Sequence, residues 1–295
     1  MLYIVQPGDS LYSISNKYKV PLAAILEANV ICNPAILLTG QPLIIPDIEY
    51  NLPKAGGRPY YIVSPGDTIW CLAQQFSINP ETLMRINRID NPHHLQLGRE
   101  LLIMSDFPDA ENLFESWNID QSLCDTINSI WQYEVFYKGQ FYWEALGESY
   151  VPYLIRLLNH PCDTVRMSVV SSLGRIAQGE NTRAALQQAL MDPDHSVKNL
   201  AKVALKRMDL VASGSKRIHV INNPWTVLSS APFYEAPNVQ LQEGTPIVVL
   251  RWNIPSPVEE IIGPGSLAVY DYVQILETGQ TGYIVRPGFS LITFL

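Results

Sequence analysis

The side chains that could hold a metal or break a bond are few in this chain, and their spacing points away from both. Cys32, Cys71, Cys124 and Cys162 fall in different segments with no Cys-x-x-Cys pair, so they read as buried, reduced thiols rather than as ligands or nucleophiles. The adjacent His93 and His94 have no cysteine or carboxylate at ligand-like spacing, and neighbouring side chains in a loop point apart, so no metal site is expected. A Cys-His hydrolase needs a helix-borne thiol with its base on a following sheet. None of the five histidines, at 93, 94, 160, 195 and 219, offers that order. Glu259-Glu260 and the Asp192/Asp194 pair fit a loop and a helix cap better than two poised carboxylates. The expectation is a protein that is not an enzyme and carries no cofactor.

What remains is recognition chemistry, and it occurs twice. Residues 3–46 and 61–104 align at a constant offset of 58 without a gap, and fourteen positions are identical. Most of the others swap like for like, as in Ser10/Thr68, Leu11/Ile69, Tyr12/Trp70 and Tyr18/Phe76. Self-similarity at a fixed period marks a duplicated module. Each copy opens on a short apolar run, Tyr3-Ile4-Val5 or Tyr61-Ile62-Val63, and breaks at Pro-Gly-Asp. A helix follows: Leu11, Ile14 and Tyr18, then Ile69, Leu72, Ala73 and Phe76, recur at helical spacing, with Asp9/Ser10 and Asp67/Thr68 placed to cap it. In the second copy Asn79-Pro80-Glu81 starts another helix, with Asn as cap, Pro at the first position and an acid in the first turn. Leu43-Ile44-Ile45 or Leu101-Leu102-Ile103 returns as a strand. The order is strand, helix, helix, strand.

With these residues in view, both copies resemble LysM domains, whose signature runs from a hydrophobic-Val-x-x-Gly-Asp-[Ser/Thr] opening to an Asn-Pro-x-x-hydrophobic-x-x-Gly-Gln close. The resemblance implies a βααβ fold and a groove for N-acetylglucosamine chains between the loop into the first helix and the loop before the last strand. Carried over by position, the first groove has Gly8, Asp9, Ser10, Leu11 and Tyr12 on one wall and Ala35, Ile36, Leu37, Leu38 and Thr39 on the other. The second has Gly66, Asp67, Thr68, Ile69 and Trp70 facing His93, His94, Leu95, Gln96 and Leu97. Backbone amides and carbonyls can bond an acetamido group while an apolar or aromatic wall packs on its methyl and on the sugar ring. Tyr12 and Trp70 read either as groove wall or as plain surface aromatics. Asp9 and Asp67 read as caps in preference to ligand contacts. The usual Pro-Gly-Gln is Thr39-Gly40-Gln41 in one copy and Leu97-Gly98-Arg99 in the other.

The elements beyond these modules set the rest of the architecture. Residues 48–59 read as a linker broken by Pro and Gly, which would let the modules, 1–47 and 60–105, act as separate hands on one polymer. Residues 106–212 carry a fainter repeat in which amphipathic helices are split by turns at Pro161 and Pro193, 32 residues apart. This pattern resembles HEAT repeats, which bury their faces by stacking. The aromatics between Phe107 and Tyr150 are expected to pack a preceding helical pair. Residues 213–295 change to short β-rich runs, and the Glu243 to Leu250, Tyr272 to Ile275 and Thr278 to Ile284 segments resemble a bacterial SH3-like barrel, with an insertion from Asn253 to Leu267. The expected fold is multi-domain α+β: two βααβ modules, an α-helical HEAT-like domain and a small all-β SH3-like barrel.

Charge and hydropathy narrow the partners. The net charge of −8 divides as 7 basic and 8 acidic side chains over residues 1–104, 9 and 14 over 105–212, and 4 and 6 over 213–295. An acidic middle with no basic stripe argues against nucleic acid. No apolar run approaches membrane-spanning length. Met1-Leu2 runs straight into the first strand, so the expectation is either that a signal peptide was removed before this numbering or that the protein is made without one. The expected function is non-catalytic binding of peptidoglycan or chitin-type glycan in a bacterial cell envelope or spore envelope, with the helical and SH3-like parts as spacer or protein-binding units. The alternatives are an interaction scaffold of a spore coat or contractile tail whose modules hold protein, and a cell-wall hydrolase with an unfamiliar site.

Overall fold

The computed structural model describes residues 1–46, 54–105, 109–214, 217–258, 260, 268–288 and 291–295. Part of the expected linker, Phe107, Glu259 and most of the 253–267 insertion lie outside the described residues. The described chain forms two compact units, one of residues 1–105, 225–241 and 248–292, the other of 106–224, 242–247 and 293–295.

In the first unit each copy folds as expected from its periodicity. Copy one runs β1 (Leu2–Ile4), α1 (Leu11–Tyr18), α2 (Leu22–Ala28) and β2 (Pro42–Ile44); copy two runs β3 (Tyr60–Ile62), α3 (Ile69–Phe76), α4 (Pro80–Ile86) and β4 (Glu100–Leu102). The strands pair antiparallel, Tyr3 opposite Leu43 and Tyr61 opposite Leu101. Leu11 and Ile14, and Ile69, Leu72, Ala73 and Phe76, are buried as their spacing requires. The shared asparagine closes each module from inside. Asn29 donates to the Ile25 and Ile44 carbonyls at 2.9 and 2.7 Å and accepts from the Ile44 amide at 2.9 Å. Asn87 repeats this with Leu83 and Leu102.

Two sequence expectations are corrected here. The cysteines are not free thiols: Cys32 is bonded to Cys71 and Cys124 to Cys162. The first bridge joins the two copies, so they are not separate hands. Val30 of copy one belongs to the core of copy two, and Gln75 donates to the Ile31 carbonyl at 3.4 Å. The described end of the linker is docked as well, since Ala55 exchanges backbone hydrogen bonds with Ala28 and Val30 at 2.8 Å. Loops stay independent only where their backbone has no such partners.

The same unit holds β6 (Val227–Ser229), β7 (Asn238–Gln240), most of β8 (Pro246–Pro255), β9 (Val269–Ile275) and β10 (Thr281–Arg286), while β5 (Ile218–Val220) belongs to the second unit. Within this unit the order β8-β9-β10-β6-β7 is an open sheet, and no closed barrel forms among the described residues. A buried Asp271–Arg286 pair anchors it: Arg286 Nε lies 2.8 Å from the carboxylate, and Nη1 reaches the Arg58 carbonyl at 3.0 Å. Trp252 packs on Tyr60 and donates to Glu100 at 2.9 Å, while Ile44 sits in a cluster with Ile254, Ala268 and Tyr270.

In the second unit α5 (Ala110–Trp117), α6 (Ser129–Trp131), a π-helical turn (Gln132–Tyr137) and α7 (Lys138–Leu146) precede α8 (Val151–Leu157), α9 (Asp163–Ile176), α10 (Glu180–Ala189) and α11 (His195–Ser213). Trp117, Phe136 and Trp143 are fully buried in the common helical core, the packing role expected of these aromatics. The turn acids divide their work: Asp192 takes a bidentate bond from Arg166 at 2.7 and 3.0 Å, and Asp194 caps α11 through the Ser196 and Val197 amides. The last residues pair with β5, Val220 and Leu295 exchanging backbone bonds at 2.8 and 3.0 Å.

Replacing Asn29 by Ala leaves one amide and two carbonyls buried without partners, a cost of roughly 2–4 kcal/mol. The exposed cap replacement Asn79→Ala costs about 1 kcal/mol. Urea unfolding should rank the two in that order, and equal midpoints for both variants would refute the internal-clamp role.

Candidate functional site

Both candidate grooves are built by the same turn. Gly8 and Gly66 sit at φ +87° and +88°, a region open to glycine that lets the chain reverse after the first strand. The following acid fastens the reversal. Asp9 accepts from the Tyr3 hydroxyl at 2.6 Å and the Gln6 amide at 2.7 Å; Asp67 accepts from Tyr61 and from the Ser64 amide, both at 2.7 Å. The expected capping role therefore belongs to the next residue alone: Ser10 accepts from the Ser13 amide at 3.0 Å and Thr68 from the Cys71 amide at 3.2 Å. The second wall starts from an asparagine that accepts from the backbone two residues on, Asn33 from Ala35 and Asn91 from His93, each at 3.0 Å. Gly40 and Gly98 then tie that wall to the first strand by donating to the Val5 and Val63 carbonyls.

The structure brings the two walls of each copy side by side through these bonds and sorts the residues between surface and core. Leu11 and Ile69 are fully buried, so only their backbone is available to a ligand. Asp9, Leu37, Asp67 and Leu95 are half-buried. Gly8, Ser10, Tyr12, Ala35, Ile36, Leu38 and Thr39 are exposed, as are Gly66, Thr68, Trp70, His93, His94, Gln96 and Leu97. Tyr12 is 71 % exposed and Trp70 50 %. In the second copy Trp70 lies against the His93 ring, centroids 5.3 Å apart, so one aromatic pair spans both walls; the first copy has Ala35 at that position. His94 faces Asn91 at 3.3 Å. Among the described residues no group of three or more His, Cys, Asp or Glu is placed to hold a metal ion.

The copies differ where they meet. A Cβ on Gly66 would lie 2.6 Å from the Asn33 Cβ, so the second wall of copy one stands directly against the first wall of copy two. A cleft between them is lined by Asn33, Ile36, Leu38 and Gln41 from one side and by Tyr61, Ser64, Pro65 and Asp67 from the other. Sequence reasoning by equivalent positions missed this seam. Its one sequence signal is that Cys32 stands opposite Asp90 in the repeat and Cys71 opposite Ser13, so each cysteine breaks the duplication once. The seam also divides the two equivalent acids. The Tyr3 hydroxyl, followed by the Gln6 amide, holds the Asp9 carboxyl below the usual range. Burial pushes Asp67 up, outweighing the same two bonds from Tyr61 and Ser64.

Comparison with known proteins places the repeat in a family. The LysM domain family model matches residues 3–46 and 61–103. The chain therefore carries two LysM domains in tandem, and a HEAT repeat follows at residues 151–179. The secreted LysM effector ECP6 of Passalora fulva is 31 % identical over 119 residues, covering 34 % of this chain and 51 % of that protein. The N-acetylmuramoyl-L-alanine amidase sle1 of Staphylococcus aureus is 26 % identical over 95 residues, 30 % of this chain and 28 % of that protein. The chain thus spans about half or less of the curated relatives it matches. The spore cortex-lytic enzyme SleL of Bacillus cereus aligns over 97 % of this chain and 88 % of that one at 12 % identity, with a TM-score of 0.19, too low to carry an argument. Among the described residues no helix is long and apolar enough to cross a membrane.

The two acids should titrate on opposite sides of an ordinary aspartate. Asp9, with its folded pKa depressed, adds stability above its unfolded pKa that is lost as pH falls through the folded value. Asp67, with its folded pKa raised, instead costs stability above its folded value, and that cost is relieved as pH falls through it. Carboxyl-carbon NMR titration reads both directly, and an Asp67 that titrates with or below Asp9 would contradict burial at the seam.

Proposed function

We propose that this protein is a non-catalytic, multi-domain binder of N-acetylglucosamine-containing glycan, with peptidoglycan the preferred polymer and chitin-type oligomers also accepted. The observation that carries the reading is the Trp70–His93 pair, half-exposed and bridging the two walls of the second module. An aromatic face set between loops rich in backbone donors and acceptors suits an acetamido sugar and demands no ionised group. On this reading the contacts are Gly8, Asp9, Ser10, Leu11 and Tyr12 with residues 35–39, and Gly66, Asp67, Thr68, Ile69 and Trp70 with residues 93–97.

Peptidoglycan is preferred because the amidase sharing this region is named for a bond of that polymer. The non-catalytic reading is supported by the pairing of all four thiols in disulfides, which removes them as nucleophiles. Two disulfides also suit an oxidising compartment, so we place the protein in a bacterial cell or spore envelope. We read residues 106–212 as a HEAT-like unit and 213–295 as an SH3-like unit whose loops have diverged, both spacing the modules or holding a protein partner. The exposure of Trp70 favours glycan over the scaffold alternative, in which that ring would be covered.

Co-sedimentation with insoluble peptidoglycan and with chitin tests this. Wild-type protein is expected in the pellet, with retention reduced by Trp70→Ala, reduced less by Tyr12→Ala and lost in the double variant. Failure of the wild type to sediment with either polymer would overturn the glycan reading.

A further inference from the structure

Away from the modules, the second unit holds a groove of about 340 Å³ lined by Asn199, Lys202, Val203, Lys206, Glu243 and Gly244. The four helical residues follow one another at spacings that place them on one stripe of α11. The facing wall is the turn before β8, and backbone bonds fix it. The Gly244 amide donates to the Ile221 carbonyl at 2.8 Å, the Ile221 amide to Thr245 at 3.0 Å, and the Thr245 amide to Gln242 at 3.1 Å. Gly244 sits at φ +86°, and an ideal Cβ on it would lie 3.8 Å from the Lys206 Nζ, so this wall meets the ammonium with backbone instead of a side chain.

The charges around the groove are uncommitted. Residues 105–212 carry 9 basic against 14 acidic side chains, and Lys138, Arg166 and Arg183 of this unit pair with Glu134, Asp192 and Asp209. Lys202 and Lys206 stand one turn apart and repel each other, with no acid at ion-pair distance among the described residues. Lys202 uses one of its three donors on the Asn199 side-chain oxygen at 3.4 Å, and the Asn199 nitrogen faces His195 at 3.2 Å. Lys206 and Glu243 make no hydrogen bond among the described residues. All three charged side chains are exposed, while Val203 is buried beneath them.

We propose that this groove binds a free amino acid or the end of a short peptide, with its carboxylate between Lys202 and Lys206, its ammonium on Glu243 and its aliphatic part over Val203. A ligand carrying only negative charge would satisfy the lysines and meet Glu243 with repulsion, and one carrying only positive charge would do the reverse. A zwitterion satisfies all three groups at once. The lysines keep five donors between them for charge-assisted bonds to a carboxylate. The volume lies at the low end of small-molecule sites, which suits one or two residues of peptide and excludes a folded partner. The site goes beyond the glycan reading and does not depend on it, since the groove belongs to the second unit and the modules to the first.

NMR titration of the full chain with L-alanyl-L-alanine, followed at the Val203 and Gly244 amides, tests the assignment. Saturable shifts of both amides are expected, with affinity about tenfold weaker in Lys206→Ala and in Glu243→Gln, each of which removes one charge-assisted contact from an exposed position. The N-acetylated dipeptide, which lacks the ammonium, and the dipeptide amide, which lacks the carboxylate, are each expected to bind about tenfold more weakly than the parent. Inorganic phosphate that binds as tightly as the dipeptide, and more tightly in Glu243→Gln, would make the groove a simple anion site and overturn the proposal. Absence of any shift in the wild type with the dipeptide would overturn it too, and in either case the glycan reading stands or falls on its own sedimentation test.

Discussion

A chain of fewer than fifty residues buries too little apolar surface to hold its own shape securely, and the modules show how that shortage is met. Among the described residues, eight buried apolar side chains cluster in the core of the first copy and twelve in that of the second, one of them, Val30, lent by the first. The remainder comes from polar groups used inside. Buried Asn29 and half-buried Asn87 each replace the water lost by a helix end and a strand with three directed bonds. Such a staple tolerates no partial substitution, because any gap leaves a sealed carbonyl or amide. The walls of the candidate groove are tied to the module by the Tyr–Asp bond of the opening turn and by the Gly40 and Gly98 amides, so their shape follows from the closure of the module.

Docking the copies on each other extends the same economy. A cross-link closing a loop of 39 residues contributes about 3–4 kcal/mol in the chain-entropy account, which rivals what either small core can supply. The cost falls on symmetry. Two copies with the same turn end in different surroundings, and the identical Tyr–Asp pair becomes solvated in one and covered in the other, with opposite shifts of the carboxyl. Duplication of sequence therefore does not give duplication of electrostatics. The sheet adds a second support within the same unit: Arg286, held by Asp271, reaches the Arg58 backbone, and Asn253 holds the Lys54 carbonyl at 2.9 Å.

The parts legible in the sequence were those set by local chemistry. The strand–helix–helix–strand order, the Asn79-Pro80 helix start, the α8 to α11 helices around Pro161 and Pro193, and the burial of Trp117, Phe136 and Trp143 all follow from periodicity and caps. What escaped was set by partners distant in the chain. Asp9 and Ser10 are both good caps in isolation, and only the Tyr3 hydroxyl, six residues back, decides that the serine caps and the acid does not. Cys32 and Cys71 are 39 residues apart in non-equivalent positions of the repeat, so alignment of the copies hides the pairing instead of revealing it. The glycine- and proline-rich linker suggested freedom because composition reports what a segment can do alone, whereas Ala55 is held by backbone bonds to Ala28 and Val30.

Rigid docking changes what duplication is for. A tether multiplies weak contacts without choosing among ligands, since its ends search a volume. A fixed pair of walls chooses, because only a ligand whose repeating groups match the spacing gains from both sides at once. The second copy could have been placed anywhere its linker reached, yet its opening turn lies against the closing loop of the first, with Gly66 allowing an approach that any side chain would block. That glycine is already required by the positive φ of its own turn, so the same residue serves module and seam. The seam is thus set by the opening turn of the second copy against Asn33, and the Cys32–Cys71 bridge and Val30 keep the copies together.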